Sequence, residues 1–138
     1  MTELNQENKK LRGFAILISS ILKPLNDNKK FQETFRKVDV KILLNALNLN
    51  YAALIIIDHG IIRVESIPNK PKNNLKKRAL GWNAYLEMDT QTFLAIAMNR
   101  LSLIGVAKKW LTHKVKMRGM RKLLVLLKVF KFLTNYNN

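Results

Sequence analysis

The middle of the chain constrains the fold most, because its pattern predicts a β-hairpin. Tyr51 to Ile57 is a continuous aliphatic run, and Asp58-His59-Gly60 has the residue types of a tight turn. Ile61 to Ile67 then alternates between apolar and charged side chains, which is typical of a half-buried strand. The protein therefore contains a β-sheet, and the other elements have to pack around it.

Two more strands and three helices are predicted after the hairpin. The strand from Trp82 to Met88 is expected to point Tyr85 and Glu87 outward, and Asp89 to Thr92 leads directly into a helix N-terminus. The remaining elements are a short helix over Ser102–Leu111, a strand over His113–Arg118, a break at Gly119 and a closing helix over Met120–Leu133.

The N-terminal third is expected to be mainly helical. A stripe of apolar residues at heptad spacing predicts a helix from Glu3 to Leu22, which Pro24 ends. This stripe could dock on the domain or pair with a second copy of the chain, and docking is the favoured interpretation. Asp27 is the expected cap of a second helix. Val40 to Leu47 fits a helix or a strand equally well.

Strands grouped together with helices around them, without strict alternation, indicate an α+β fold whose sheet is covered on one face by helices. The length of 138 residues favours one domain spanning residues 1–138. Residues 1–38 are expected to form an N-terminal helical extension, and residues 39–133 the core.

Charge is the extreme feature of the composition. The formal net charge is +16, and no carboxylate follows Asp89 although ten Lys and Arg do. The positive electrostatic field of such a chain attracts nucleic acid, anionic membranes or ligands with acidic headgroups. Alternatively, the high basicity could simply reflect a generally basic proteome in the source organism. A solvated outer face of a sheet is the default interpretation of such a charge run. The alternative is an anion-binding basic surface, which would comprise Lys108, Lys109, Lys114, Lys116, Arg118, Arg121 and Lys122.

The sequence offers no catalytic centre. No nucleophile, metalloprotease, phosphate-binding or dinucleotide-binding motif is present, and there is no cysteine. We therefore expect a protein that is not an enzyme, with no catalytic residues, metal ligands or cofactor. The longest apolar stretch, Phe14 to Leu22, is interrupted by Ser19 and Ser20 and is too short to span a bilayer. Together with the absence of cysteine, this suggests a cytoplasmic protein.

The closing helix has more apolar surface than a helix lying on a sheet requires. At about 100° per residue, its leucines and Phe130 cover more than half of its circumference. The surplus is expected to face a ligand, a membrane, a partner or further parts of the protein itself.

From about Ala52 to Leu133 the chain resembles the sterol-carrier-protein family of lipid-binding domains. The resemblance rests on Ala53 to Val64, on the strand-to-helix passage from Ala84 to Leu94, and on Lys114 to Gly119 before the closing helix. The chain departs from the family pattern at Met120, where a small or acidic residue is usual, and no first family strand is evident between Val40 and Leu47.

The resemblance implies a small mixed sheet of four or five strands that encloses an apolar tunnel. It also implies binding or transfer of a lipid, fatty acid, acyl-CoA or isoprenoid. The residues that would line the cavity by resemblance are Phe93, Ala97, Trp110, Met117, Leu124, Leu127 and Phe130. The basic surface would attract an acidic headgroup or an anionic membrane.

Two other functions fit the same sequence. The excess of cations permits a nucleic-acid-binding module, although the basic strand has no interleaved aromatic residues. The wide apolar face of the last helix permits a protein-interaction domain whose partner covers that helix, and the N-terminal stripe could support a dimer.

Overall fold

The computed structural model describes residues 13–97 and 116–136. Three segments discussed above lie outside these ranges: the residues before Gly13, the predicted helix over Ser102–Leu111 and the first part of the predicted strand His113–Arg118. The helices are α1 (Phe14–Leu22), α2 (Lys29–Thr34), α3 (Lys77–Leu80), α4 (Thr90–Ala97) and α5 (Met120–Tyr136). The strands are β1 (Asp39–Ala46), β2 (Tyr51–Asp58), β3 (Ile61–Pro68), β4 (Ala84–Met88) and β5 (Lys116–Arg118), and 3₁₀ turns span Lys23–Asp27 and Lys72–Leu75.

The strands form one mixed sheet in the order β3-β2-β1-β4-β5. The β1–β4 pair is parallel, and the β1–β2, β2–β3 and β4–β5 pairs are antiparallel. The α+β prediction with four or five strands is thus confirmed. The ambiguous segment after Asp39 is the central strand β1, and it lacks alternation because both of its faces are buried.

The predicted hairpin is confirmed with a two-residue turn. Asp58 pairs with Ile61 across it, and His59 and Gly60 have φ angles of 51° and 90°. Two successive positive φ angles are typical of the turn that matches strand twist in a hairpin. A Cβ atom on Gly60 would lie 2.7 Å from the carbonyl oxygen of Gln32, so the position requires glycine for space as well as for conformation.

One face of the sheet holds the larger apolar cluster, to which α1, α2, α4 and α5 contribute buried side chains. Phe14, Ile18 and Leu22 of α1 are all buried in it, so the part of the predicted stripe that the structure describes docks on the sheet. The cap of α2 is Asn28, whose Oδ1 accepts from the amide of Phe31 at 3.0 Å, and the prediction of Asp27 as the cap is wrong by one residue.

The second face of the sheet is also covered, over part of its area, by the segment that runs from the second 3₁₀ turn through α3. Leu75 and Trp82 pack there with Leu43, Leu54 and Tyr85, and the Trp82 indole donates to the carbonyl of Leu75 at 2.8 Å. The prediction that Tyr85 and Glu87 point into solvent is therefore wrong. Alternation in the sequence of a strand shows which side chains lie on each face of the sheet, but it does not show whether solvent or another segment covers that face.

Candidate functional site

The apolar layer between α5 and the first face of the sheet is the main candidate site. Gly119 directly precedes α5 and has a φ of 73°, and a Cβ atom there would lie 2.3 Å from the carbonyl oxygen of Asn83. This close approach places α5 against β1 and β4. The helix buries one side in the layer through Leu123, Leu126, Val129 and Phe130.

Aromatic contacts connect this layer to the N-terminal helices. The rings of Phe14 and Phe93 lie 4.9 Å apart, which joins α1 to α4. At the other end of α5, Phe132 meets Phe31 at 5.5 Å and Phe35 at 5.8 Å in edge-on arrangements. Edge-on and offset ring pairs at such distances are favourable beyond their buried area, so they fix how the helices sit over the sheet.

Four of the residues predicted to line a cavity meet in this layer. Phe93 and Phe130 are buried in it, and Met117 and Leu127 lie half-buried at its border. Leu124 does not join them, because it lies on the outer side of α5 and is 47% exposed. Ala97 belongs to α4, but its side chain lies outside the described residues, as does the whole of Trp110.

The predicted basic surface is partly described. Lys116 and Arg118 are exposed on β5, and Arg121 and Lys122 are exposed in the first turn of α5. Lys108, Lys109 and Lys114 lie outside the described residues. Pairing of β5 with β4 sets Lys116 opposite Glu87 and Arg118 opposite Tyr85, so both cations share the second face of the sheet with those two side chains.

A buried polar cluster lies on that second face, centred on Glu87, which is 3% exposed. Its Oε1 accepts from the Tyr85 hydroxyl at 2.5 Å and from Asn45 Nδ2 at 3.1 Å. Lys72 Nζ lies 3.7 Å from Oε1, and Lys116 Nζ lies 3.9 Å from Oε2. The carboxylate is therefore compensated by two hydrogen bonds and two cations, as a buried charge requires.

Asn69 extends the cluster to the loop before the second 3₁₀ turn. Its Nδ2 donates to Asn45 Oδ1 at 2.9 Å and to the carbonyl of Leu49 at 2.8 Å. Its Oδ1 is buried without a hydrogen-bond partner among the described residues. The sequence analysis missed this cluster, although Asn45 in the otherwise apolar core of β1 was a signal that a polar partner would be needed.

The surroundings of Glu87 set its protonation. Burial is the largest single effect and opposes ionisation, but the hydrogen bonds from Tyr85 and Asn45, with Lys72 and Lys116, outweigh it and lower the pKa of Glu87. Burial, followed by the hydrogen bond to Glu87, raises the pKa of Tyr85. Glu87 is therefore a charged acceptor of hydrogen bonds.

Within residues 13–97 and 116–136, no three His, Cys, Asp or Glu side chains lie close enough to hold a metal ion. Across the same ranges, no helix is both long and apolar enough to cross a membrane.

No family's sequence profile and no curated protein matches the chain. Solved structures do match. A UbiJ-SCP2 ubiquinone synthesis protein superposes with a TM-score of 0.58 at 6% identity, covering 88% of this chain and 95% of that one. The protein TT1886 from Thermus thermophilus, described as possibly a sterol carrier protein, gives 0.56 at 11% identity, covering 83% and 79%. The chain has a sterol-carrier-protein-like fold.

A part of a larger enzyme shares this sterol-carrier-protein-like fold. The inverting sec-alkylsulfatase Pisa1 from Pseudomonas sp. matches with a TM-score of 0.51 at 19% identity over 72% of this chain. The chain spans only 14% of that enzyme's length. The likeness therefore concerns one part of the sulfatase.

Proposed function

We propose that the protein binds and carries an apolar ligand, without chemistry, between α5 and the first face of the sheet. The ligand class is a lipid, fatty acid, acyl-CoA or isoprenoid. The names of two structural neighbours support this class, because one refers to ubiquinone synthesis and the other to a possible sterol carrier. Ubiquinone and sterols are both largely apolar molecules.

The observation that carries the proposal is the apolar border of the first-face layer. Half-buried apolar side chains lie on α5 at the edge of the buried core, and β5 contributes another. These residues are Met117, Val125, Leu127, Phe132 and Leu133. Apolar residues at a border favour contact with another apolar group, and the unbranched side chain of Met117 can adapt to ligands of different shape.

Burial of an acyl or isoprenoid chain provides enough affinity for this role. Each buried methylene contributes about 0.8 kcal/mol, so about ten of them contribute ~8 kcal/mol before the cost of ordering the chain. Without that cost this magnitude would correspond to a dissociation constant of about 1 μM, and the cost of ordering the chain raises the constant from there. The exposed cations in the first turn of α5, Arg121 and Lys122, would add attraction for an acidic headgroup.

Titration with a fluorescent fatty acid tests the proposal. Wild-type protein is expected to bind it in the micromolar range, and Leu127→Asn is expected to weaken binding about tenfold because it removes half-buried apolar contact at the border. Ile61→Asn is the matched control, since Ile61 is exposed on β3 and lies outside this layer. Circular dichroism establishes that each variant is folded.

Failure of the wild-type protein to bind any fatty acid, acyl-CoA or isoprenoid analogue would refute the proposal. Equal weakening by Leu127→Asn and Ile61→Asn would refute its location.

A further inference from the structure

The outer side of α5 exposes two large apolar side chains one helical turn apart. Met120 is 51% exposed and Leu124 is 47% exposed. Residues four apart project from the same side of a helix, so the two form one ridge. Of the other exposed large hydrophobic residues in the described part, Ile16 lies on α1, Ile61 lies on β3 and Leu47 lies in the turn after β1. Among these residues, only Met120 and Leu124 share a face.

Exposed cations flank this ridge on one side. On a helical wheel Lys131 falls between the two apolar residues, while Lys128 and Arg121 follow at about 40° and 60° beyond Leu124. From Lys116 to Leu133 the chain carries six cations and no carboxylate. The outer side of α5 therefore combines an apolar ridge with a positive border. We call Met120, Leu124, Arg121, Lys128 and Lys131 the outer face of α5.

We propose that the outer face of α5 docks on an anionic lipid bilayer. A helix with apolar residues and cations on one side can lie in the membrane interface, where the apolar side chains enter by about 5–10 Å and the cations meet acidic headgroups. The lysines can keep their ammonium groups at the headgroups while their stems lie along the apolar region. Docking does not depend on whether the protein carries an apolar ligand.

Charge and chemistry argue against two other occupants. A second copy in a two-fold dimer would bring the same cations against each other, which is unfavourable. Nucleic acid would satisfy Arg121 and Lys128, but Met120 and Leu124 have no ring on which a base can stack. The anionic bilayer accounts for both the apolar ridge and its charge.

Site-specific fluorescence tests this docking directly. The chain has no cysteine, so Leu124→Cys can be labelled at a single site with an environment-sensitive fluorophore, and Ile16→Cys on α1 is the matched control. Phosphatidylcholine vesicles containing phosphatidylglycerol are expected to cause a blue shift at position 124 and none at position 16. Pure phosphatidylcholine vesicles are expected to cause neither. An unchanged spectrum at position 124, or equal shifts at both positions, would overturn the proposal.

Vesicle co-sedimentation tests the charges separately. The double variant Arg121→Gln/Lys128→Gln is expected to lose about 25-fold in affinity for the anionic vesicles, roughly fivefold for each cation removed. Lys29→Gln/Lys30→Gln removes the same net charge from exposed positions of α2 and is expected to bind nearly as wild type. Equal losses in the two double variants would attribute binding to net charge and overturn the assignment to α5.

Light scattering distinguishes a self-association surface. A wild-type dimer that Leu124→Ser converts to a monomer, with no binding to anionic vesicles, would assign the face to a second copy and overturn the proposal. Fatty-acid uptake from aqueous solution is measured in parallel on Leu124→Ser, so that a failure of docking and a failure of ligand carriage give different results.

Discussion

Replacement of Glu87 by glutamine is expected to lower the free energy of unfolding by about 2 kcal/mol near neutral pH. The Tyr85 hydroxyl and Asn45 Nδ2 both donate to the carboxylate. A hydrogen bond to a charged group contributes about 1.5–3 kcal/mol and one between neutral groups about 0.5–1.5, so each bond loses about 1 kcal/mol in the variant. Lys72 and Lys116 add little, because their side chains are 67% and 65% exposed.

The loss of stability in Glu87→Gln is expected to be smaller at acid pH than at neutral pH. Because the pKa of folded Glu87 is lowered from its ordinary value of 4.5, the unfolded chain takes up the proton first as the pH falls. The stabilisation by the carboxylate is complete above that ordinary value and disappears as the pH falls through the lower folded value. The difference between wild type and Glu87→Gln should therefore be largest near neutral pH and should narrow in acid.

Urea unfolding at a series of pH values measures this difference. Glu65→Gln is the control, because Glu65 is an exposed glutamate of β3 and its replacement should change stability by less than about 0.5 kcal/mol. An equal loss in the two variants would refute the account of Glu87 as a buried, compensated charge. A difference that stays constant from neutral to acid pH would refute it as well.

Three further substitutions test the packing around the candidate site by thermal and urea unfolding. Gly119→Ala should cost more than Gly81→Ala, because both glycines have positive φ but only the former brings a Cβ atom to within 2.3 Å of the Asn83 carbonyl. Comparable losses would refute the close approach that positions α5. Asp89→Ala should cost about 1 kcal/mol through loss of the α4 cap, while Asp89→Asn should retain most of the stability. Phe93→Ala should cost about 3–5 kcal/mol because Phe93 is buried, and a loss below about 1 kcal/mol would mean that the layer is loosely packed there.

Local sequence patterns predicted the fold well where each element shows its own periodicity. The hairpin, the passage from β4 into α4 and the closing helix depend on turn chemistry, capping and apolar spacing within a few residues. Asp89 caps α4 by accepting from the Thr92 amide at 2.7 Å, as the residue types indicated. By contrast, β1 could not be distinguished from a helix, because a strand buried on both faces loses the alternation that identifies it.

The candidate site was only partly predictable, because its composition depends on contacts that are distant in sequence. Phe93 and Phe130, which the family resemblance placed in an apolar cavity, are buried in the apolar layer, whereas the exposure of Leu124 follows from how α5 is rotated on the sheet. The contacts of Glu87 depend on the segment that carries Lys72 folding back over the second face of the sheet. The pattern of residues within β4 does not indicate that a later or earlier segment covers this face.

Native mass spectrometry of gently purified protein tests the central claim of apolar ligand carriage most directly. Organic extraction then identifies any compound that is released. The account predicts a stoichiometric lipid, acyl chain or isoprenoid, which added analogues displace one for one. Protein that is empty when isolated and that also takes up no fatty acid, acyl-CoA or isoprenoid would contradict it, and the layer beneath α5 would then be an ordinary filled core.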